Sequence, residues 1–146
     1  MLARRELSTA QIKARLLERD HAVEDVDLAI ARLKETGALD DARVARAYAE
    51  TALRVKGRGR LRVQRELNEM GIPREIAAAA LTDAFGEVDE RGLIAKAIAR
   101  KLHGRRRIDT PQEYGCVYQF LMRQGFSSAA VSAALRGYRK RADPLE

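Results

Sequence analysis

Apolar residues recur along this chain at the spacing of one helical face, and the recurrence is itself repeated. The clearest instance spans residues 63–81. Val63 and Leu67 lie four apart and share a face, while Arg62, Arg65, Glu66 and Glu69 fall on the other side. Gly71 can take the left-handed conformation that ends a helix, and Pro73 can open the next. Ile72 sits in the turn, and Ile76, Ala77, Ala80 and Leu81 continue the apolar stripe beyond it. The pattern predicts a helix-turn-helix hairpin.

The same pattern occurs three times with identical internal spacing. The middle copy reads Val63, Leu67, Gly71-Ile72, Ala77, Leu81. The first reads Ile12, Leu16, Asp20-His21, Val26, Ile30, and the last reads Val117, Leu121, Gly125-Phe126, Val131, Leu135. The anchors Ile12, Val63 and Val117 are 51 and 54 residues apart, as in arrays whose units stack apolar faces on their neighbours. Asp20 stands where the other copies have glycine, and Asp tolerates the left-handed region better than most residues. His21 replaces the apolar plug and is read as a packed or half-exposed turn residue.

Between the hairpins, further helices are predicted. Leu2–Leu7 reads as a short helix or the tail of one. Ser8 caps the first hairpin, whose second helix runs from about Val23 to Thr36 with Val26, Ile30 and Leu33 buried, and Gly37 stops it. Asp40 and Asp41 cap and charge the start of a helix carrying Ala45, Tyr48, Ala52 and Val55, with Leu39 and Val44 as a staple. Capping accounts for both carboxylates. Asp89–Leu102 is another amphipathic helix, and Thr110-Pro111 opens the last hairpin, whose final helix is expected to reach about Arg141. No segment alternates with period two long enough for a strand. The predicted fold is all-α, an elongated array of three tandem three-helix, helix-turn-helix-like repeats: 1–38, 39–86 and 87–146.

Charge adds an asymmetry. The net charge of the 146 residues is +7, yet residues 1–53 carry nine basic and ten acidic side chains, so the excess lies entirely in the rest of the chain. Such a basic half faces a polyanion or an acidic protein surface, or else serves solubility alone. Residues 54–65 hold six basic side chains and no acid, around Gly57 and Gly59. This stretch is read as a mobile, exposed turn. It lacks the spacing and the preceding strand of a Walker loop. A second basic turn is His103-Gly104-Arg105-Arg106-Arg107, and a third cluster is Arg136, Arg139, Lys140 and Arg141. Arg62 and Arg65 have acids four residues on, whereas Arg58, Arg60, Arg106 and Arg107 have none close in sequence. The contact candidates are Lys56, Arg58, Arg60, Arg62, Arg65, Arg105, Arg106, Arg107, Arg123, Arg139 and Lys140.

Enzyme chemistry finds no foothold. Only two histidines are present, and no nucleophile elbow or metal-ligand spacing occurs. No catalytic residue, metal or cofactor is expected. The single Cys116 is read as a small core residue of a helix, and one cysteine permits no intramolecular disulfide. With no signal peptide and no apolar run of membrane-spanning length, a cytoplasmic protein is expected.

Several motifs resemble the RecX family, regulators of the bacterial recombinase RecA. Leu2-Ala3-Arg4-Arg5-Glu6-x-Ser8 looks like the family's opening. Gly37-Ala38-Leu39-Asp40-Asp41-Ala42-Arg43-Val44-Ala45 is similar to a family stretch in which Ala38 and Val44 are aromatic. Lys56-Gly57-x-Gly59, Arg62-Val63-x-x-Glu66-Leu67 and Gly71-Ile72 resemble its most recognisable segment. Phe120-Leu121-x-Arg123-x-Gly125-Phe126-Ser127 resembles the last motif, with Gln124 where a second Arg is common. The resemblance implies tandem three-helix repeats, no cofactor, and a monomer that lies along the groove of a RecA–DNA filament and inhibits it, binding naked single- or double-stranded DNA weakly. The alternative is a basic helix-turn-helix protein that binds DNA without RecA. Against it, the second helix of the middle hairpin offers Ala77-Ala78-Ala79-Ala80 to the base edges. A single-strand binder built on aromatic stacking is opposed by a total of seven Tyr and Phe.

Overall fold

The computed structural model describes residues 6–138 and is all-α over that span, with eight helices and no strand among the described residues. They are α1 (Thr9–Glu18), α2 (Val23–Glu35), α3 (Asp41–Arg54), α4 (Arg60–Glu69), α5 (Arg74–Phe85), α6 (Glu90–Lys101), α7 (Pro111–Gln124) and α8 (Ser128–Arg136). Of the expected helical segment Leu2–Leu7, Leu2–Arg5 lie outside the described residues, as do Arg139, Lys140 and Arg141, while Glu6 and Leu7 are not helical. The last helix stops earlier than the apolar pattern suggested, at Arg136, with Gly137 as its cap.

The three predicted turns share one backbone device. Asp20, Gly71 and Gly125 all have positive φ, at 63°, 75° and 100°. In each, the chain leaves a helix through the left-handed region, which frees the next residues to start a second helix. The plugs differ in burial. Ile72 and Phe126 are buried, at 4% and 1% exposure, whereas His21 is exposed.

Packing divides the chain into two compact units. The first holds the described residues up to Thr51 together with Gln64–Gly86. The second holds Ala52–Val63 together with the described residues from Glu87 onward. In the first unit α1 packs on α2, and Val26, Ile30 and Leu39 form a small core with Ile12 and Leu16 half-buried against it. Helix α1 buries no residue fully. Its N-terminus is fixed by polar contacts instead. Buried Ser8 caps α1 by accepting from the Gln11 N–H, and its hydroxyl donates to the Met70 carbonyl. The Thr9 N–H donates to Asp41 Oδ1 at 2.8 Å, so one of the two paired aspartates caps a helix 32 residues away. Asp40 caps its own helix through the Arg43 N–H. Arg43 in turn bridges to Glu6 at 3.1 Å and donates to the Gly37 carbonyl, and the Glu6 carboxylate raises its pKa further. The rest of this unit buries Val44, Ala45, Leu67, Met70, Leu81 and Phe85, with Tyr48 donating its hydroxyl to Glu66 across helices.

In the second unit α6, α7 and α8 pack pairwise around Ile94, Ile98, Leu102, Val117, Leu121, Phe126, Val131 and Leu135. Each helix starts on a capping side chain: Asp89, Thr110 and Ser127 accept from the Arg91, Glu113 and Ala130 N–H groups.

Besides His21, three residues depart from the sequence expectation. Cys116 is exposed, because Val117 and Leu121 take the inner face of α7 and turn its neighbour outward. Val55, expected on the helix, follows its last residue Arg54 and is 72% exposed just before the chain reverses at Gly57. Leu33 is 36% exposed near the end of α2, where the small α1–α2 core runs out.

Candidate nucleic-acid interface

The basic elbow between α3 and α4 lies in the second unit, and its backbone explains both glycines. Gly57 has φ 62°, with its N–H donating to the Leu53 carbonyl and the Arg58 N–H donating to Ala52, which closes α3. The Gly59 N–H donates to the Gln124 carbonyl at 2.7 Å, and the Leu61 N–H donates to Gly125 at 3.1 Å. A Cβ on Gly59 would come within 2.5 Å of the Gly125 carbonyl group. The elbow is therefore clasped against the α7–α8 turn, and Gly59 is buried. It is not the mobile, exposed turn expected, because two glycine backbones interlock where side chains would collide. Arg62 completes the clasp, donating through Nη1 to the Arg123 carbonyl at 3.4 Å and the Gln124 side chain at 3.2 Å.

This clasp brings the 54–62 segment and Arg123 into one neighbourhood. Lys56, Arg60 and Arg123 are exposed there, and Arg58 is half-buried with contacts of its own. Arg100 joins them: its guanidinium lies beside the Gly57 Cα, 2.5 Å from where a Cβ would project. Sequence reading missed Arg100, since the pairing spans 43 residues and no spacing announces it. Helix α4 has no acid in its first turn and opens Arg60-Leu61-Arg62, so its positive dipole end goes uncompensated. The arrangement is suited to anionic groups, and phosphate oxygens fit it.

The other candidates are more heavily neutralised. Arg105 bridges to Glu113 at 2.6 Å and approaches Asp109 at 3.9 Å, and Arg107 bridges to the same Asp109 at 2.9 Å. The expectation that Arg107 lacks a close partner fails, because Asp109 stands two residues on and its carboxylate accepts from the Arg107 guanidinium. Arg106 remains exposed with no ion pair among the described residues. Arg65 belongs to the first unit and stands 3.9 Å from Glu69. The candidates Arg139 and Lys140 lie outside the described residues. No cluster of His, Cys, Asp or Glu that could hold a metal occurs among the described residues. No helix there is long and apolar enough to cross a membrane.

Comparison with known proteins bears on what these elements belong to. Residues 40–81 match the model of the RecX second three-helix domain. The Regulatory protein RecX of Chromohalobacter salexigens is 31% identical over 136 residues, covering 92% of this chain and 86% of its own. This chain belongs to the RecX family. The Regulatory protein RecX of Pseudomonas putida is 32% identical, with 94% of this chain and 85% of the relative aligned. The crystal structure of RecX from Lactobacillus salivarius shares the fold at a TM-score of 0.70 and 21% identity, covering 92% of this chain and 87% of that one. The RecX resemblance read from the motifs is thus correct, and so is the all-α helical repeat architecture.

Proposed function

We propose that this RecX-family protein regulates the RecA recombinase by binding the RecA–DNA nucleoprotein filament and inhibiting its activity. The clasped basic elbow carries the reading. A backbone fixed by the Gly59–Gln124 and Leu61–Gly125 hydrogen bonds groups Lys56, Arg60 and Arg123, so little backbone ordering is needed when they meet phosphates. Family membership supports RecA as the protein partner. In this reading the chain forms three repeats, 1–38, 39–86 and 87–146, and acts in the cytoplasm as a monomer. It acts by occupancy, one molecule per site, with no cofactor, and binds naked DNA only weakly.

The alternative of a helix-turn-helix DNA reader is less well supported. The candidate recognition helix α5 exposes Arg74, Glu75, Ala78, Ala79, Thr82 and Asp83, so a single long donor stands at its start and its two acids repel the backbone. The deciding experiment is co-sedimentation with RecA, with and without DNA, across a salt series. Co-sedimentation with filaments well beyond that with naked DNA is expected. Equal binding to naked DNA and to filaments would replace the filament reading with the plain DNA-binding one.

A further inference from the structure

The first unit carries a cavity of about 220 Å³ between α3 and α5, away from every basic turn in sequence. Its apolar lining comes from Ala42, Ile76, Ala79 and Ala80. Three charged residues also border it: Arg46, Glu75 and Asp83, all exposed and without ion pairs among the described residues. Two acids against one base make this a poor phosphate site. Small side chains around an open apolar space, rimmed by unpaired charge, suit one large apolar side chain with a cation beside it.

Asp83 supports a role beyond folding. It lies in the last turn of α5, which contains no basic residue, so its carboxylate faces the negative end of the helix dipole. A residue chosen for helix stability would be neutral or basic there.

We propose that the α3–α5 cavity is a protein-docking site that receives a large apolar side chain flanked by lysine or arginine. The occupant is a segment of the protein component of the filament, so its identity rests on the RecA reading above. The nucleic acid then falls to the basic elbow, and the two units of the chain engage different chemistries.

The test measures binding to DNA-free RecA and to naked DNA for Ala79→Trp, which fills the cavity, and Asp83→Lys, which reverses its rim. Ala78→Trp, the same bulk on an exposed neighbour outside the lining, is the control. Ala79→Trp and Asp83→Lys should each weaken RecA binding by about tenfold or more, the scale of a central interface pocket. Ala78→Trp should stay within about twofold. Naked-DNA affinity should not fall for either cavity variant, and Asp83→Lys should melt no lower than the parent chain because the helix dipole favours it. Should Ala79→Trp fail to fold, Asp83→Lys decides alone. Folded cavity variants that bind RecA like the parent overturn the docking site and leave the filament reading standing, and so does equal loss with Ala78→Trp. A parent chain that binds neither RecA nor its filaments overturns both.

Discussion

At the scale of single residues, the three left-handed turn positions show how much a local rule settles. Gly71 and Gly125 occupy theirs without strain, whereas Asp20 holds φ 63° with a side chain attached. Asp20→Gly should therefore stabilise the chain, by at most about 1 kcal/mol, as read from denaturant midpoints at constant slope. Gly59 presents the opposite case. Gly59→Ala places a Cβ against the Gly125 backbone and should cost about 1–3 kcal/mol, because neither interlocked turn can yield without breaking the other's hydrogen bonds. Leu67 and Leu121, both with 0% exposure, are the matched anchors of the second and third hairpins. Leu→Ala at either should cost about 2–5 kcal/mol, and a change below about 0.5 kcal/mol would mean that the hairpin does not depend on its anchor. Cys116, exposed on α7, should react fully with a thiol reagent in the native protein. Protection until unfolding would restore the core placement that its apolar neighbours suggested.

At the scale of elements, the hairpins were legible because their evidence is local. Spacing gave the buried faces, and Ser8, Asp40, Asp89 and Thr110 marked helix starts that the structure uses. What sequence hid was every contact between distant turns. Gly59 reads as a flexible glycine until Gln124 and Gly125 are placed against it, and Asp41 reads as a cap for its own helix until it meets the Thr9 N–H. Spacing also cannot tell a full core from its edge, which is why Leu33 was expected inside. The first hairpin is the weakest element on these grounds. Its core holds three buried side chains, and α1 is tied down mainly through Ser8, Thr9 and Glu6. Ser8→Ala removes a cap and the buried hydrogen bond to the Met70 carbonyl, for a loss of about 1–3 kcal/mol. Hydrogen exchange should then accelerate in α1 and α2 before α6–α8. Uniform acceleration throughout the chain would deny the hairpin any independent opening.

At the scale of the whole molecule, the charge asymmetry seen in the composition was real but coarse. Eleven basic residues were legible as candidates, and the structure sorts the nine it describes by what their charge meets. Arg105 and Arg107 serve Asp109 and Glu113, whereas Lys56, Arg60 and Arg123 stay exposed around a fixed backbone clasp. Exposed ion pairs of the first kind contribute about 0–1 kcal/mol to stability. The second group carries the filament reading. Its most direct test is the triple variant Lys56→Ala, Arg60→Ala, Arg123→Ala, checked for unchanged helicity and melting temperature and assayed for inhibition of RecA filaments across a salt series. Inhibition should be largely lost, with the salt dependence of binding flattened by a slope of about 0.7–0.9 for each phosphate contact removed. A folded triple variant that inhibits RecA as fully as the parent chain, at every salt concentration, would contradict the account.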